Sequence, residues 1–318
     1  MRWVNYYERL TMRVGTAFAF ARTQEELSNR QARLAQSQDQ LSSGLRIQKP
    51  SDDPYAAAQA ERARSLQAKI EIDRRGLNFS NSMLASIEGA LGNSGDVLQE
   101  IRTQINSAGN GVLNMNDRNS IAQQLTQLRS ELLGVANRSD GGGGFLFGGQ
   151  GSRLPPFIDG TSVQFQPQSG MQTNGSSFAG ALAIDGAASF TSVQSSMPNQ
   201  PNINIFSVVD SAIAMLKNSS ITSSGLTAAL QPVTAGIDQG LDGLLSQRSM
   251  VGERMRALDK HAEFLDDSEL RSKAYSAELT EVDMAEAIST FTTQKTALEA
   301  LMQTYSQISS LSLFNYIR

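Results

Sequence analysis

The chain has 318 residues, a formal net charge of −4, no cysteine and a single histidine, His261; 40% of residues are hydrophobic, 6% aromatic and 18% charged. The acidic balance gives no general attraction to nucleic acid, and the lack of cysteine excludes disulfides, thiolate nucleophiles and Cys-ligated zinc. One histidine allows no His-based metal cluster within the chain, so neither a metal nor a cofactor is expected.

No stretch is long enough to cross a bilayer, and no membrane insertion is expected. Val14 to Ala21 follows a positively charged start and ends in small residues, a loose likeness to a secretory signal. Gly15 and Thr16 interrupt this short apolar run, so it reads instead as the start of a helix. That first helix is predicted from about Thr16 to Ser43. Its apolar marks Leu27, Leu34 and Leu41 stand seven apart, the step that keeps side chains on one narrow stripe. Gly44 suits the C-terminal cap. In Pro50-Ser51-Asp52-Asp53-Pro54 the carboxylates read as a helix cap rather than an acid/base pair, with Pro54 at the first helical position.

The second helix carries Ala56, Ala63, Ile70, Leu77, Leu84, Leu91, Leu98 and Ile105, all seven apart, and would be on the order of 75 Å long. Gly76, Gly89, Gly92 and Gly95 weaken it, so a break or kink is expected near 89–95. Asn106 to Asn119 reads as a turn. A third helix follows with Ile121, Leu125, Leu128, Leu132 and Val135. Residues 141–204 differ: they hold twelve of the 26 glycines, five of the eight prolines and only three charged residues, Arg153, Asp159 and Asp185. Alternation such as Val163-Gln164-Phe165 predicts a small β-rich, loop-rich insert. The glycines at 141–144 have no Lys-Ser or Lys-Thr after them, so they read as a hinge or a close contact rather than a phosphate cradle.

After Ile205 a short helix carries Val208, Val209, Ile213 and Leu216. Beyond Pro232 a long seam runs through Ile237, Leu241, Leu244, Val251, Met255, Leu258, Ala262 and Leu265, with His261 beside it as a flank residue. The last helix is predicted to carry Leu279, Val282, Ile288, Phe291, Leu298, Leu301, Met302, Tyr305, Ile308 and Leu311. The fold class is therefore mainly α: an elongated antiparallel bundle or coiled coil made from both chain ends, with the insert between. Neither terminal stripe is wide enough to hold its helix alone, so the arms are expected to be loose in a monomer and ordered among copies. The candidate assembly surface is Leu27, Leu34 and Leu41 at one end and Phe291, Leu298, Leu301, Tyr305, Ile308, Leu311 and Phe314 at the other. An enzyme with its site in the insert would have to work with Asp159 and Asp185, so no catalytic activity is expected.

Three stretches carry a resemblance. They are Met12-Arg13-Val14-Gly15-Thr16; Gln40-Leu41-Ser42-Ser43-Gly44-Leu45-Arg46 followed by Lys49 to Ala57; and Glu281-Val282-Asp283-Met284-Ala285-Glu286-Ala287-Ile288 with the ending Leu311 to Ile317. The chain resembles the flagellin-like family, over roughly 12–157 and 205–318. Within the family, Pro50-Ser51-Asp52-Asp53-Pro54 and the Leu-Ser-Leu-Phe-Asn-Tyr ending are similar to subunits of the hook–filament junction rather than to the filament subunit. Phe145 to Gly149 with Pro155-Pro156-Phe157 matches the family's passage into its outer domain. The family begins at the equivalent of Met12, so residues 1–11 read as an extra leader, most simply a misassigned start.

The resemblance implies inner arms at 12–49 and 275–318, a helical rod at 50–140 and 205–274, and an outer insert at 141–204. It also implies a secreted, extracellular flagellar adaptor that leaves the cell unfolded through the flagellar export channel. Its partners would be other copies of itself, hook-associated protein 1, flagellin and an export chaperone. A minor flagellin that builds filament itself is the alternative.

Overall fold

The structure is a computed structural model that describes residues 4–109, 113–151, 153–173, 181–194 and 201–314. Among these, the helices are α1 (Val4–Ser43), α2 (Pro54–Gly109), α3 (Met115–Ala136), α4 (Ile205–Lys217), α5 (Ser223–Thr280) and α6 (Met284–Phe314). Between α3 and α4 lie strands β1 (Phe157–Ile158), β2 (Gln164–Phe165), β3 (Gln172–Thr173) and β4 (Ala181–Ala183), then a π-helical turn at Ala187–Thr191. The chain is thus mainly α with a small sheet insert. It divides into two compact units, Met1–Ala68 with Glu269–Arg318, and Lys69–Ser268.

The second unit has a complete core. Leu84, Ile87, Leu91, Leu98 and Ile101 of α2 are fully buried with Leu125 and Leu132 of α3, Phe206 and Val209 of α4, and Ile237 and Leu244 of α5. That burial explains why α2 runs unbroken through Gly89, Gly92 and Gly95, where a kink was expected. Each glycine costs about 1 kcal/mol relative to alanine, while each fully buried leucine or isoleucine contributes about 1.5–3 kcal/mol. The same trade carries α5 through Pro232, so the helix begins ahead of the seam read from Ile237. Leu226, Leu230 and Val233 are buried on either side of the proline, so tertiary packing overrides the lost backbone hydrogen bond.

One turn is shorter, and one helix longer, than expected. The α2–α3 turn shrinks because α3 starts at Met115, where Asn114 and Asp117 form a capping box. α1 extends back to Val4 rather than beginning near Thr16; no proline interrupts this stretch, so nothing in the backbone forces a later start.

The insert is held by aromatic packing more than by its strands. β1 pairs with β2 and β3 with β4, both antiparallel, and among the described residues no strand exceeds three residues. Phe147 meets Phe190 edge-on at 5.0 Å, Phe157 meets Phe190 at 5.5 Å, and Phe190 lies 6.2 Å from Phe206 at the start of α4. Gly186 is required here: a Cβ would stand 2.4 Å from the Phe147 carbonyl oxygen and 2.8 Å from the Phe157 ring. The glycine run at 141–144 is not a free hinge. Asp140 Oδ1 accepts from the N–H groups of Gly142 (2.7 Å) and Gly144 (2.8 Å) and closes the loop on itself.

Leu98→Ala is expected to destabilise the chain by about 2–5 kcal/mol. Leu245→Ala, at a side chain 59% exposed, should stay within about 0.5 kcal/mol. Urea unfolding of the two full-length variants checks the contrast.

Candidate assembly interface

In the first unit α1 lies against α6. Leu45 bridges Glu281 in antiparallel sense, and the buried Ser37 hydroxyl donates to Gln294 Oε1 at 2.9 Å. With helices running in opposite directions, Ser37 opposite Gln294 brings Leu34 level with Leu298. Seven-residue steps then bring Leu41 level with Phe291 and Leu27 level with Tyr305. All six are only half-buried, as is Leu301. Each side chain keeps part of its apolar surface in water. The side chains of Ile308, Leu311 and Phe314 lie outside the described residues, as do those of residues 1–11.

The arms are locked to α5 by a compact joint. Gly44 takes φ +70° and donates its N–H to the Gln40 carbonyl at 2.9 Å, the left-handed C-terminal cap that glycine adopts without strain. The chain then pairs with the end of α5 and the residues that follow it: Arg46 N donates to Thr280 O (2.8 Å) and Val282 N to Gly44 O (3.0 Å). Arg46 also donates through Nη2 to Leu279 O at 2.7 Å, covering an orphan carbonyl at the end of α5. This pairing is why Leu279 and Val282 are not on the last helix. Leu279 belongs to the final turn of α5, Val282 to the joint, and α6 begins only after Asp283, whose Oδ1 accepts from Ala285 N and Glu286 N.

The two acids of the Pro50–Pro54 motif divide the work. Asp53 Oδ1 accepts from Ala56 N at 3.0 Å, the helix cap expected before Pro54. Asp52 Oδ2 instead accepts from Lys49 N (2.9 Å) and Gln48 N (3.0 Å), fastening the loop whose exposed tip is Pro50 and Ser51. Those two backbone bonds hold its carboxyl below the ordinary range. Arg46 Nη1 reaches Asp53 Oδ2 at 3.6 Å, so the joint and the cap share one guanidinium. Nothing in residue spacing marks Arg46 for the joint, because Leu279 and Thr280, to which it donates there, lie more than 200 positions away.

The acids of the insert are also engaged structurally. Arg129 of α3, 13% exposed, donates bidentately to Asp159 (2.9 and 2.7 Å) and pairs with Asp210 of α4. The Arg129 hydrogen bond holds the Asp159 carboxyl below its ordinary value. Asp185 Oδ1 accepts from Ala187 N at 2.9 Å, capping the π-helical turn. His261 is half-buried beside Phe264, ring centroids 6.0 Å apart, as a flank residue of its helix. Among the described residues no three His, Asp or Glu side chains gather as a metal site, and no helix is long and apolar enough to cross a membrane.

Residues 14–152 match the bacterial flagellin N-terminal helical region, and residues 234–317 match the bacterial flagellin C-terminal helical region. The flagellar hook-associated protein 3 of Salmonella typhimurium is 28% identical over 317 residues, covering 96% of this chain and 100% of that protein. The flagellin of Bacillus subtilis is 25% identical over 293 residues, covering 88% and 91%. In three dimensions the chain is similar to the flagellar junction protein FlgL of Legionella pneumophila. That match has a TM-score of 0.57 at 20% identity and covers 70% of this chain and 100% of the other.

Two outcomes follow from the geometry. Asp53→Ala should cost about 0.5–2 kcal/mol by removing the cap of α2, read as a lower denaturation midpoint. Because the Asp159 carboxyl is depressed when folded, its contribution should be fully present above the ordinary value of 3.8 and be lost as pH falls through the folded value. With Asp159 half-exposed the effect is small; it should appear as an acid-side loss of stability in the native chain that Arg129→Met flattens.

Proposed function

Since this chain belongs to the bacterial flagellin family, we propose that it is the structural adaptor of the hook–filament junction, joining hook-associated protein 1 to flagellin. The observation that carries this reading is coverage. The relative named as a hook-associated protein is matched over its whole length, whereas the Bacillus flagellin match is shorter and less identical. The Pro50–Pro54 motif, with its separate cap and loop-fastening acids, is consistent with a junction subunit.

The mechanism is coupled folding and assembly. The chain leaves the cell unfolded, guarded by an export chaperone, and folds outside as copies meet. Leu27, Leu34 and Leu41 with Phe291, Leu298, Leu301 and Tyr305 form the inner arms, and neighbouring copies cover the half of each side chain that the α1–α6 pair leaves in water. Ile308, Leu311 and Phe314 continue that surface. Residues 12–49 and 275–318 act as arms, 50–140 and 205–274 as the rod, and 141–204 as the outer part. Contacts between copies are heterologous, so that subunits above and below can continue the structure. No step of this role calls for catalysis.

Deleting the gene should leave hooks without filaments and release flagellin monomers into the medium; normal filaments on the mutant would contradict the junction role. Purified protein that polymerises into long filaments would favour the minor-flagellin alternative instead. Leu34→Asp should abolish swimming while the protein is still exported. Unchanged swimming would count against the paired arms.

A further inference from the structure

Arg118, in the first turn of α3, is 5% exposed. A guanidinium taken out of water is costly unless its charge and its N–H groups are matched. This one is matched in part. Nη1 donates to the Ile221 carbonyl at 2.8 Å, in the turn between α4 and α5. Nε is buried and meets no acceptor, and Nη2 makes no hydrogen bond among the described residues. No described carboxylate lies within ion-pair distance of Arg118. Asp117, its neighbour in sequence, accepts instead from the Asn114 N–H at 3.3 Å. Arg129, further along the same helix, meets two carboxylates.

The two open nitrogens belong to one edge of the group. In a planar guanidinium Nε–H and one N–H of Nη2 point the same way, and this fork takes both oxygens of a carboxylate or phosphate. The charge around it favours an anion. Residues 103–128 and 211–237 contain three charged side chains, the bases Arg118 and Lys217 against the acid Asp117. α3 starts three residues before Arg118, and α5 starts two residues after Ile221. Helix starts carry partial positive charge and suit anions. The opposing helix ends are already answered. Gly109 O, at the end of α2, accepts from the Thr227 hydroxyl at 2.7 Å, and Lys217 stands in the last turn of α4.

We infer that Arg118 is the base of an anion site at this end of the second unit, with a small oxyanion, a carboxylate or a phosphate, held side-on by Nε and Nη2. A bound oxyanion would match the open edge of the guanidinium. It would also tie the start of α3 to the α4–α5 turn more firmly than the bond to Ile221 does alone. The site is independent of the assembly role, since it uses no residue of α1 or α6 and needs no second copy.

The test uses the full chain, isotopically labelled at the arginine nitrogens. Sodium acetate and sodium phosphate are titrated separately at constant pH and ionic strength while the Nε–H signals are followed by NMR. The Arg118 signal is identified by its loss in Arg118→Lys. It should shift and saturate at millimolar anion, while exposed arginines move weakly and in proportion to the salt added. Saturation with acetate alone supports a carboxylate site, and saturation with phosphate alone supports a phosphate site. No saturable shift with either anion means that water meets Nε, and overturns the inference.

A second readout is the thermal midpoint of unfolding. The anion that saturates the signal should raise the midpoint of the native chain above its value in sodium chloride of the same ionic strength, and Arg118→Met should lose that rise. An equal rise in both chains would put the anion elsewhere and overturn the site. Should Arg118→Met not fold, the absence of any rise in the native chain overturns it instead.

Discussion

Two helices that meet along one row of side chains each leave part of every side chain in that row in water. This is the condition of α1 and α6, where Leu27, Leu34, Leu41, Phe291, Leu298 and Tyr305 are level with one another yet only half-buried. Apolar burial is the main favourable term in folding, and here it is incomplete within one chain. The joint at Gly44, Arg46, Thr280 and Val282 fixes how the arms leave α5, but backbone hydrogen bonds at one end add little to the far turns of two long helices. The arms leave apolar surface uncovered, and in the assembly proposed above other copies would cover it.

The second unit is built on the opposite principle. Its core includes fully buried residues from four helices, and its insert is tied down by the Phe147–Phe157–Phe190–Phe206 cluster and the Arg129–Asp159 and Arg129–Asp210 pairs. It can hold its shape before assembly. In the role proposed above, a subunit with one self-sufficient unit and one incomplete unit would pass from an unfolded chain to an ordered neighbour in steps, with the last step dependent on contact.

Much of this was legible in the residues. The seven-residue steps located α1, α2, α5 and α6, and Gly44 and Asp53 marked their caps, because periodicity and capping are local. The misses came from effects that spacing does not encode. The kink expected at Gly89–Gly95 was overruled by burial from distant elements, and the same burial carries α5 through Pro232, ahead of the seam that the spacing showed. Leu279 and Val282 were separated from α6 by a joint whose partners come from the other end of the chain. Arg129 carries no motif, and its pairing with Asp159 and Asp210 exists only once α3, α4 and the insert are folded. The match of the Leu27 row to the Tyr305 row could be drawn from the sequence as two stripes, but their register needed Ser37 and Gln294.

The central claim is that the arms are completed by neighbours. Hydrogen exchange, followed by mass spectrometry on dilute full-length monomer and on assembled flagella, measures it directly. The account predicts fast exchange along α1 and α6 in the monomer, slow exchange across the core of α2 through α5, and arm protection that appears only on assembly. Arms as protected in the dilute monomer as Leu98 and Ile101 are would contradict it.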